Sequence, residues 1–112
     1  MGTGPRMTAQ VLTLLSVILG DASAEWYGLE LAQAADLKSG TLYPALARLE
    51  RAGWLSSRWE DIDPSVEGRP RRRMYRLAGV GEAMARPAVD EHLARLTNRR
   101  TTQKPRLGLR PV

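Results

Sequence analysis

The sequence contains no cysteine and only one histidine among its 112 residues. Without cysteine, neither a disulfide framework nor a thiolate metal site can form, and His92 cannot build a metal site alone. The absence of cysteine is typical of proteins from a reducing compartment. We therefore expect a cytoplasmic protein with no bound metal or other cofactor.

A long hydrophobic run is also missing. The apolar segment over residues 11–19 is about half the ~20 residues that a helix needs to cross a bilayer, so it predicts a core helix and no membrane association. The sequence has no base–nucleophile pair, metal-ligand cluster or phosphate-binding loop, and we do not expect an enzyme. The length leaves room for one small domain with a single core.

Acidic residues are absent where basic residues concentrate. The formal charge is +5, and ten of the seventeen basic residues fall in segments 69–76 and 99–110, which contain no acid. The other seven basic residues and all twelve acidic residues lie in the rest of the chain, which therefore carries a formal charge of −5. Concentrated positive patches favour polyanion binding, because neutralised phosphates release counterions. Codon usage explains why there are fifteen arginines and only two lysines, but it does not explain their clustering. For segment 99–110, codon usage and polyanion binding are equally good explanations.

The central segment, residues 39–53, has the pattern of an amphipathic DNA-recognition helix. An apolar stripe with i, i+3, i+4, i+7 spacing is formed by Leu42, Ala45, Leu46 and Leu49. Ser39 or Thr41 is expected to cap this helix, and a Thr41 cap would put Pro44 at the third helical position. Gly53 is expected to end it, with Trp54 packing back on Leu49.

The neighbouring segments complete a winged helix-turn-helix over residues 8–77. Helices are predicted over residues 8–19 and from Ser23 to about Ala35, and two β-compatible runs, 55–62 and 72–77, flank a long loop. The predicted fold class is therefore α+β, mostly α, with three helices, a two-stranded β-wing and a C-terminal dimerisation helix at 78–98. Pro87 should kink or divide that last helix, and residues 1–7 and 99–112 are predicted to be disordered.

Several motifs point to one family: Gly28-Leu29-Glu30-Leu31, the Gly-Thr-Leu-Tyr-Pro core at 40–44, Gly53-Trp54-Leu55, and the arginine-rich segment 68–77. Together they resemble the PadR family of winged-helix transcription regulators over roughly residues 9–97. The resemblance implies a short-form member that acts as a homodimeric repressor of a palindromic operator. Two departures are Leu29, where the family usually has tyrosine, and Ala78-Gly79, where a Thr-Pro pair usually caps the last helix.

The candidate functional residues form two sets. Contacts with double-stranded DNA are expected from Ser39, Thr41, Tyr43, Arg48, Arg69, Arg71 and Arg72. A dimer interface, which the resemblance places on the last helix with help from the first, is expected to contain Leu12, Leu15, Met84, Val89, Leu93 and Leu96. Arg48 and Arg51 could contact guanine bases, or they could contact phosphates or solvent instead. Arg73 is expected to pair with Glu60 or Asp61 across the hairpin.

Other interpretations compete with these. The same fold can serve as a protein–protein interaction module without specific DNA binding. Trp26, Trp54 and Trp59 could line a chamber for a small aromatic effector, which would fit a family in which some members sense aromatic compounds. Core packing and dimer contact are the simpler roles. His92 is most simply a surface or interface residue.

Overall fold

The computed structural model describes the backbone of residues 5–108 and the side chains of residues 5–98. Its elements are, in chain order, α1 (Ala9–Leu19), β1 (Trp26–Tyr27), α2 (Gly28–Ala35), α3 (Ser39–Arg51), β2 (Leu55–Trp59), α4 (Pro64–Glu67), β3 (Arg73–Leu77) and α5 (Gly81–Gly108). The strands form an antiparallel sheet in the order β1-β3-β2. Helices α1 to α3 with the β2–β3 hairpin make a winged helix, which confirms the predicted α+β class.

The sheet has one strand more than the two-stranded wing that the sequence predicted. Trp26 and Tyr27, expected within the second helix, instead pair with Tyr75 and Met74 of β3. Helix α2 begins only at Gly28. Aromatic residues favour strands when a partner strand is available, and that partner lies almost fifty residues away along the chain. Local helical spacing therefore misassigned this segment.

The recognition helix α3 has the predicted buried stripe but begins earlier than predicted. Its N-cap is Lys38, whose side chain makes no capping hydrogen bond, so neither Ser39 nor Thr41 is the cap. Pro44 is consequently the sixth helical residue, and the carbonyl of Gly40 loses the N–H that would normally donate to it. Gly40 and Pro44 are both exposed, so water can satisfy that carbonyl.

The end of α3 follows the prediction. Gly53 has φ 81°. Its N–H donates to the carbonyl of Glu50 at 3.0 Å, and the N–H of Trp54 donates to Leu49 at 3.0 Å. Trp54 and Leu49 are both buried. This pair of hydrogen bonds and its apolar contact form a Schellman motif.

The wing is the β2–β3 hairpin with the segment between its strands, residues 60–72, here called the wing loop. Cross-strand pairs run from Leu55 with Leu77 to Trp59 with Arg73. The predicted long loop contains one short helical turn, α4, which Asp63 caps by accepting from the N–H of Ser65 at 3.0 Å. The arginine cluster lies at and beyond the end of this loop.

Helix α5 differs from the sequence prediction at three points. It begins at Gly81 rather than at residue 78, continues past Pro87 without a break, and extends to Gly108, which places residues 99–108 in a helix rather than in a disordered tail. Ala85 and Val89, on either side of Pro87, are both buried in the core, and this packing holds the helix together across the proline. Extending an existing helix also requires no new nucleation.

Both ends of the chain were predicted to be disordered. Residues 1–4 and 109–112 lie outside the described residues, while Met7 packs against the core. Among the described residues, none of the helices combines the length and hydropathy required to traverse a bilayer.

The expected dimer residues divide into two groups. Leu12, Leu15 and Val89 belong to the core of the chain itself, with Leu15 fully buried, because α1 packs against α5 within one chain. These three residues therefore pack within one chain, and only the other three predicted dimer residues are left exposed. Met84, Leu93 and Leu96 are 43–50% exposed and remain available to a partner.

Candidate nucleic-acid interface

A groove of about 510 Å³ lies between the start of α2, the recognition helix α3 and the wing. Here called the helix–wing groove, it is lined by Tyr27, Gly28, Leu29, Tyr43, Trp59, Arg71, Arg72, Arg73 and Tyr75. Three of these residues are consecutive arginines and four are aromatic. The groove joins the recognition helix to the basic patch, which the sequence placed on separate elements.

Tyr43 is the recognition-helix residue in this groove. It is 47% exposed and lies against the first residue of α2, Gly28, where an added Cβ would overlap the Tyr43 hydroxyl and lie 2.8 Å from its ring. The absence of a side chain at residue 28 thus lets the phenol lie against the start of α2. The Tyr43 hydroxyl makes no hydrogen bond with the described residues, so it is free to donate to a phosphate oxygen.

The first turn of α3 presents further unpaired donors. The N–H groups of Thr41 and Leu42 both donate to the carbonyl of Lys38 at 2.9 Å, which leaves those of Ser39 and Gly40 without an acceptor in the helix. Because Lys38 is the cap, the hydroxyls of Ser39 and Thr41 are not used in capping, and both side chains are exposed. A helix N-terminus with free N–H and O–H groups favours an anion such as a phosphate.

The exposed surface of α3 distinguishes Arg48 from Arg51. At about 100° per residue, Arg51 lies roughly opposite the buried stripe, whereas Arg48 lies on its flank about two turns from Thr41. Arg51 is exposed and Arg48 half-buried, and neither has a partner among the described residues. Arg51 therefore has the more central position on the face that would enter a groove, while Arg48 is suited to the phosphate edge.

Arg69, a predicted DNA contact, uses both terminal nitrogens within the wing loop. Its two terminal nitrogens donate to the two carboxylate oxygens of Glu60, Nη1 to Oε1 at 2.7 Å and Nη2 to Oε2 at 3.1 Å, and Nη1 also reaches the carbonyl of Pro70 at 3.2 Å. The Arg69 hydrogen bonds, supported by one from the backbone of Arg72, lower the pKa of Glu60 to about 2 against the opposing effect of desolvation. Glu60 therefore stays ionised and its bond to Arg69 stays charge-assisted.

Arg71 and Arg72 keep donors free. Arg71 donates from Nε to the carbonyl of Ile62 at 3.0 Å, which leaves its terminal nitrogens unused. The Arg72 guanidinium lies 4.1 Å from the centroid of the Tyr27 ring, and its side chain makes no hydrogen bond with the described residues. Tyr27 thus orients Arg72 by a cation–π contact without consuming any of its N–H groups.

Arg73 has a different partner from the one predicted. It donates from Nε to the hydroxyl of Ser57 at 3.0 Å and lies 3.8 Å from Glu50, rather than pairing with Glu60 or Asp61. Ser57 in turn donates to Glu50 at 2.6 Å. The alternation of side chains along β3 puts Arg73 on the face that looks toward α3, so it links the wing to the recognition helix.

Four residues important to this surface were missed as site residues by sequence reasoning: Tyr27, Gly28, Glu50 and Glu60. Tyr27 and Gly28 were placed inside a predicted helix, and their role depends on β1. The only sequence signal for Glu50 and Glu60 was opposite charge, which does not tell which of five nearby arginines each carboxylate will meet.

The three tryptophans occupy different environments. Trp54 is buried at the end of α3, Trp26 is half-buried in β1, and Trp59 is 57% exposed at the end of β2. The indole N–H of Trp26 is buried without a hydrogen-bond partner among the described residues. Only Trp59 lines the helix–wing groove.

The chain matches a known family of transcriptional regulators. The model of the family described as "Transcriptional regulator PadR-like family" matches residues 14–86, about two thirds of the chain. A PadR family transcription regulator from Clostridium difficile R20291 is 23% identical, with a TM-score of 0.63, and the match covers 86% of this chain and 97% of that one.

Two further solved structures are similar. The protein smu.1704 from Streptococcus mutans UA159 is 28% identical, with a TM-score of 0.53 and coverage of 94% of this chain and 88% of its own. The circadian clock associated protein Pex from anabaena is 23% identical, with a TM-score of 0.60 and coverage of 88% and 89%. No protein of curated function matches in sequence.

Proposed function

Because the chain belongs to the PadR-like family of transcriptional regulators, we propose that it is a sequence-specific repressor that binds palindromic operator DNA as a homodimer. The observation that carries this proposal is the helix–wing groove. The unpaired hydroxyl of Tyr43 on the recognition helix and the guanidinium of Arg72, which makes no hydrogen bond with the described residues, both line it.

The mode of docking follows from the free groups. Helix α3 enters the major groove, with Ser39, Thr41 and Tyr43 on phosphates at its N-terminal end and Arg51 toward the bases. Arg48 contacts the phosphate edge. Arg71 and Arg72 of the wing contact the flanking backbone or the adjacent minor groove, where negative potential attracts arginine.

A second copy of the chain is proposed to cover the exposed apolar residues of α5. Val89 is buried, but Leu96, seven residues later on the same helix face, is 43% exposed, and Leu93 and Met84 are 48% and 50% exposed. Helix α5 thus continues its apolar stripe beyond the core that α1 covers. A two-fold pairing there would present two recognition helices to half-sites about one DNA turn, or a multiple of it, apart.

An aromatic effector is not part of the proposal, because the three tryptophans are divided between core and wing. A reduced cytoplasmic setting, which the lack of cysteine favours, agrees with a DNA-binding role.

DNA binding is tested by electrophoretic mobility shift with the DNA immediately upstream of the protein's own gene. The wild-type chain should shift this DNA and lower transcription from it in a purified transcription assay. Tyr43→Ala should abolish the shift, whereas Thr13→Ala, at an exposed position of α1, should leave it unchanged. A retained shift with Tyr43→Ala would remove Tyr43 from the interface, and increased transcription would identify an activator.

Dimerisation is tested separately by light scattering on two matched variants. Leu96→Glu places a charge on the proposed interface, whereas Ala94→Glu places the same charge roughly 160° around the same helix. We expect Leu96→Glu to be monomeric and folded by circular dichroism, with Ala94→Glu remaining a dimer. A dimeric Leu96→Glu protein would show that α5 does not pair through this stripe.

A further inference from the structure

Glu60 closes the wing loop where it leaves the sheet. Its backbone N–H donates to the carbonyl of Arg72 at 2.9 Å, and its carboxylate Oε1 accepts from the N–H of Arg72 at 2.9 Å. The backbone bond extends the β2–β3 pairing by one position, and at that same position the carboxylate accepts the N–H of Arg72. The segment between them is thereby closed into a ring.

The same carboxylate also binds Arg69, which lies three residues before Arg72 in the wing loop. Arg69 contacts both carboxylate oxygens through its two terminal nitrogens, and the Glu60 side chain is only 17% exposed. Bidentate pairs of this kind fix orientation as well as distance. A second cross-loop bond, from Arg71 to the carbonyl of Ile62, adds to the closure. The loop is therefore held in one shape chiefly by three donors that converge on one carboxylate.

A carboxylate in this place conflicts with simple charge complementarity. Glu60 lies beside Arg71 and Arg72, the two arginines with free donors, and a negative charge beside them repels DNA phosphates. Removing it would, by charge alone, strengthen DNA binding. The contacts of the Glu60 carboxylate instead order the segment that carries Arg71 and Arg72.

We propose that Glu60 is the positioning residue of the wing: it holds the wing loop closed so that Arg71 and Arg72 face DNA, and it uses Arg69 as an internal clamp rather than as a DNA contact. This inference rests on the proposed DNA-binding function. Tyr27 completes the arrangement from the other side by supporting the Arg72 guanidinium.

The wing loop contains a matched control for the charge of Glu60. Glu67 is exposed on α4 in the same loop, and its side chain makes no hydrogen bond or ion pair with the described residues. Glu67→Ala and Glu60→Ala therefore remove the same charge from the same loop, but only the second removes the clamp. A charge effect predicts the same change of affinity for both variants, and a positioning effect predicts weaker binding for Glu60→Ala alone.

The experiment measures affinity by fluorescence anisotropy on a fluorescein-labelled duplex of about 30 base pairs from the DNA upstream of the gene, over a series of salt concentrations. Glu67→Ala should bind as tightly as the wild type or more tightly. Glu60→Ala should bind roughly tenfold more weakly, and its log–log salt slope should become less steep by about 0.9 for each phosphate that the wing no longer neutralises. Glu60→Gln, which keeps one acceptor for the Arg72 N–H, should lose less affinity.

A double-mutant cycle separates positioning from a general loss of stability. If Glu60 acts through Arg72, then Glu60→Ala combined with Arg72→Ala should lose less affinity than the sum of the two single changes. A contribution to overall stability alone would make the losses additive and would lower the midpoint of thermal unfolding. Unfolding is therefore followed for each variant, and if Glu60→Ala does not fold, the same criteria are applied to Glu60→Gln.

The outcomes separate this inference from the proposed function. Wild-type binding accompanied by equal or tighter binding of the Glu60 variants would overturn the positioning role and leave the DNA-binding function intact. Additive losses in the cycle would also overturn it. No binding by the wild-type chain would overturn the proposed function, and the positioning role with it.

Discussion

Tyr43 of the recognition helix occupies the space that a side chain at residue 28 would require. Gly28 is the first residue of α2 and follows directly on β1, so the phenol is positioned by the junction between the edge strand and the helix-turn-helix. Tyr43 and Arg72 meet in the helix–wing groove because that junction also carries Tyr27, on which Arg72 lies.

The first prediction concerns this close approach. Gly28→Ala should displace the Tyr43 side chain and weaken DNA binding several-fold in a mobility shift, while the midpoint of thermal unfolding changes little. The reason is that the added methyl group meets the far end of a flexible side chain rather than backbone. Tyr43→Phe serves as the companion variant, because it removes the hydroxyl without moving the ring. Unchanged affinity in Gly28→Ala would mean that the ring position is not important for binding.

The second prediction concerns the unpaired guanidinium of Arg72. Arg72→Ala should weaken binding to all DNA sequences similarly and reduce the steepness of the log–log salt dependence by about 0.9 for each phosphate that Arg72 neutralises. Tyr27→Ala, which removes the supporting ring but no charge, should produce a smaller loss of affinity. Arg95→Ala is the control, since Arg95 carries the same charge on α5 and pairs with Glu91 at 3.1 Å. An equal change of slope in Arg95→Ala would indicate a nonspecific charge effect.

The third prediction concerns the start of α5. A Cβ on Gly81 would overlap the carbonyl oxygen of Trp54 and lie 2.8 Å from its carbonyl carbon, and backbone cannot move aside as a side chain can. Gly81→Ala should therefore destabilise the fold by about 1–3 kcal/mol in denaturant unfolding. The matched change Gly40→Ala, where an added Cβ has no atom within 4 Å, should be neutral or stabilising. Equal stability of the two variants would contradict the tight contact between α5 and Trp54.

The fourth prediction concerns pH. Since the pKa of Glu60 is lowered to about 2, its interaction with Arg69 contributes fully above the ordinary glutamate pKa and is lost as the pH falls through about 2. The Arg72 backbone amide, followed by NMR, should therefore keep its native chemical shift at pH 5 and titrate with a midpoint near pH 2. Glu60→Gln should lack this transition. A transition centred near pH 4.5 in the wild type would show that the clamp is weak.

The recognition helix was predictable from sequence in all but its beginning. Its buried stripe and its glycine stop depend on residues of one helix and the three residues that follow it, and both are present in the structure. The N-terminal boundary was wrong because Ser39 and Thr41 are good capping residues by type, yet the chain enters the helix at Lys38. Whether a serine caps a helix or begins it depends on the path of the preceding turn, which local preference does not fix.

The hairpin of the wing was predicted from sequence, but the contact partners of its arginines were not. Arg69, Arg71, Arg72 and Arg73 differ in the structure by whether a carboxylate, a carbonyl, an aromatic ring or a hydroxyl lies within reach. Sequence spacing gives the alternation of faces along β3 but not the identity of the partners. Those partners come from β1, β2 and α3, which are distant along the chain.

The sequence by itself determined the fold class, the amphipathic recognition helix and the location of the positive charge, because each of these follows from short-range periodicity or from composition. Only the tertiary structure decided that Tyr27 supports Arg72, that Gly28 admits Tyr43, and that Glu60 engages Arg69. It also decided that Leu12, Leu15 and Val89 belong to the core of a single chain, because α1 packs on α5. The physical reason is that these contacts join elements far apart in sequence, so that each depends on how the elements pack rather than on their own residues.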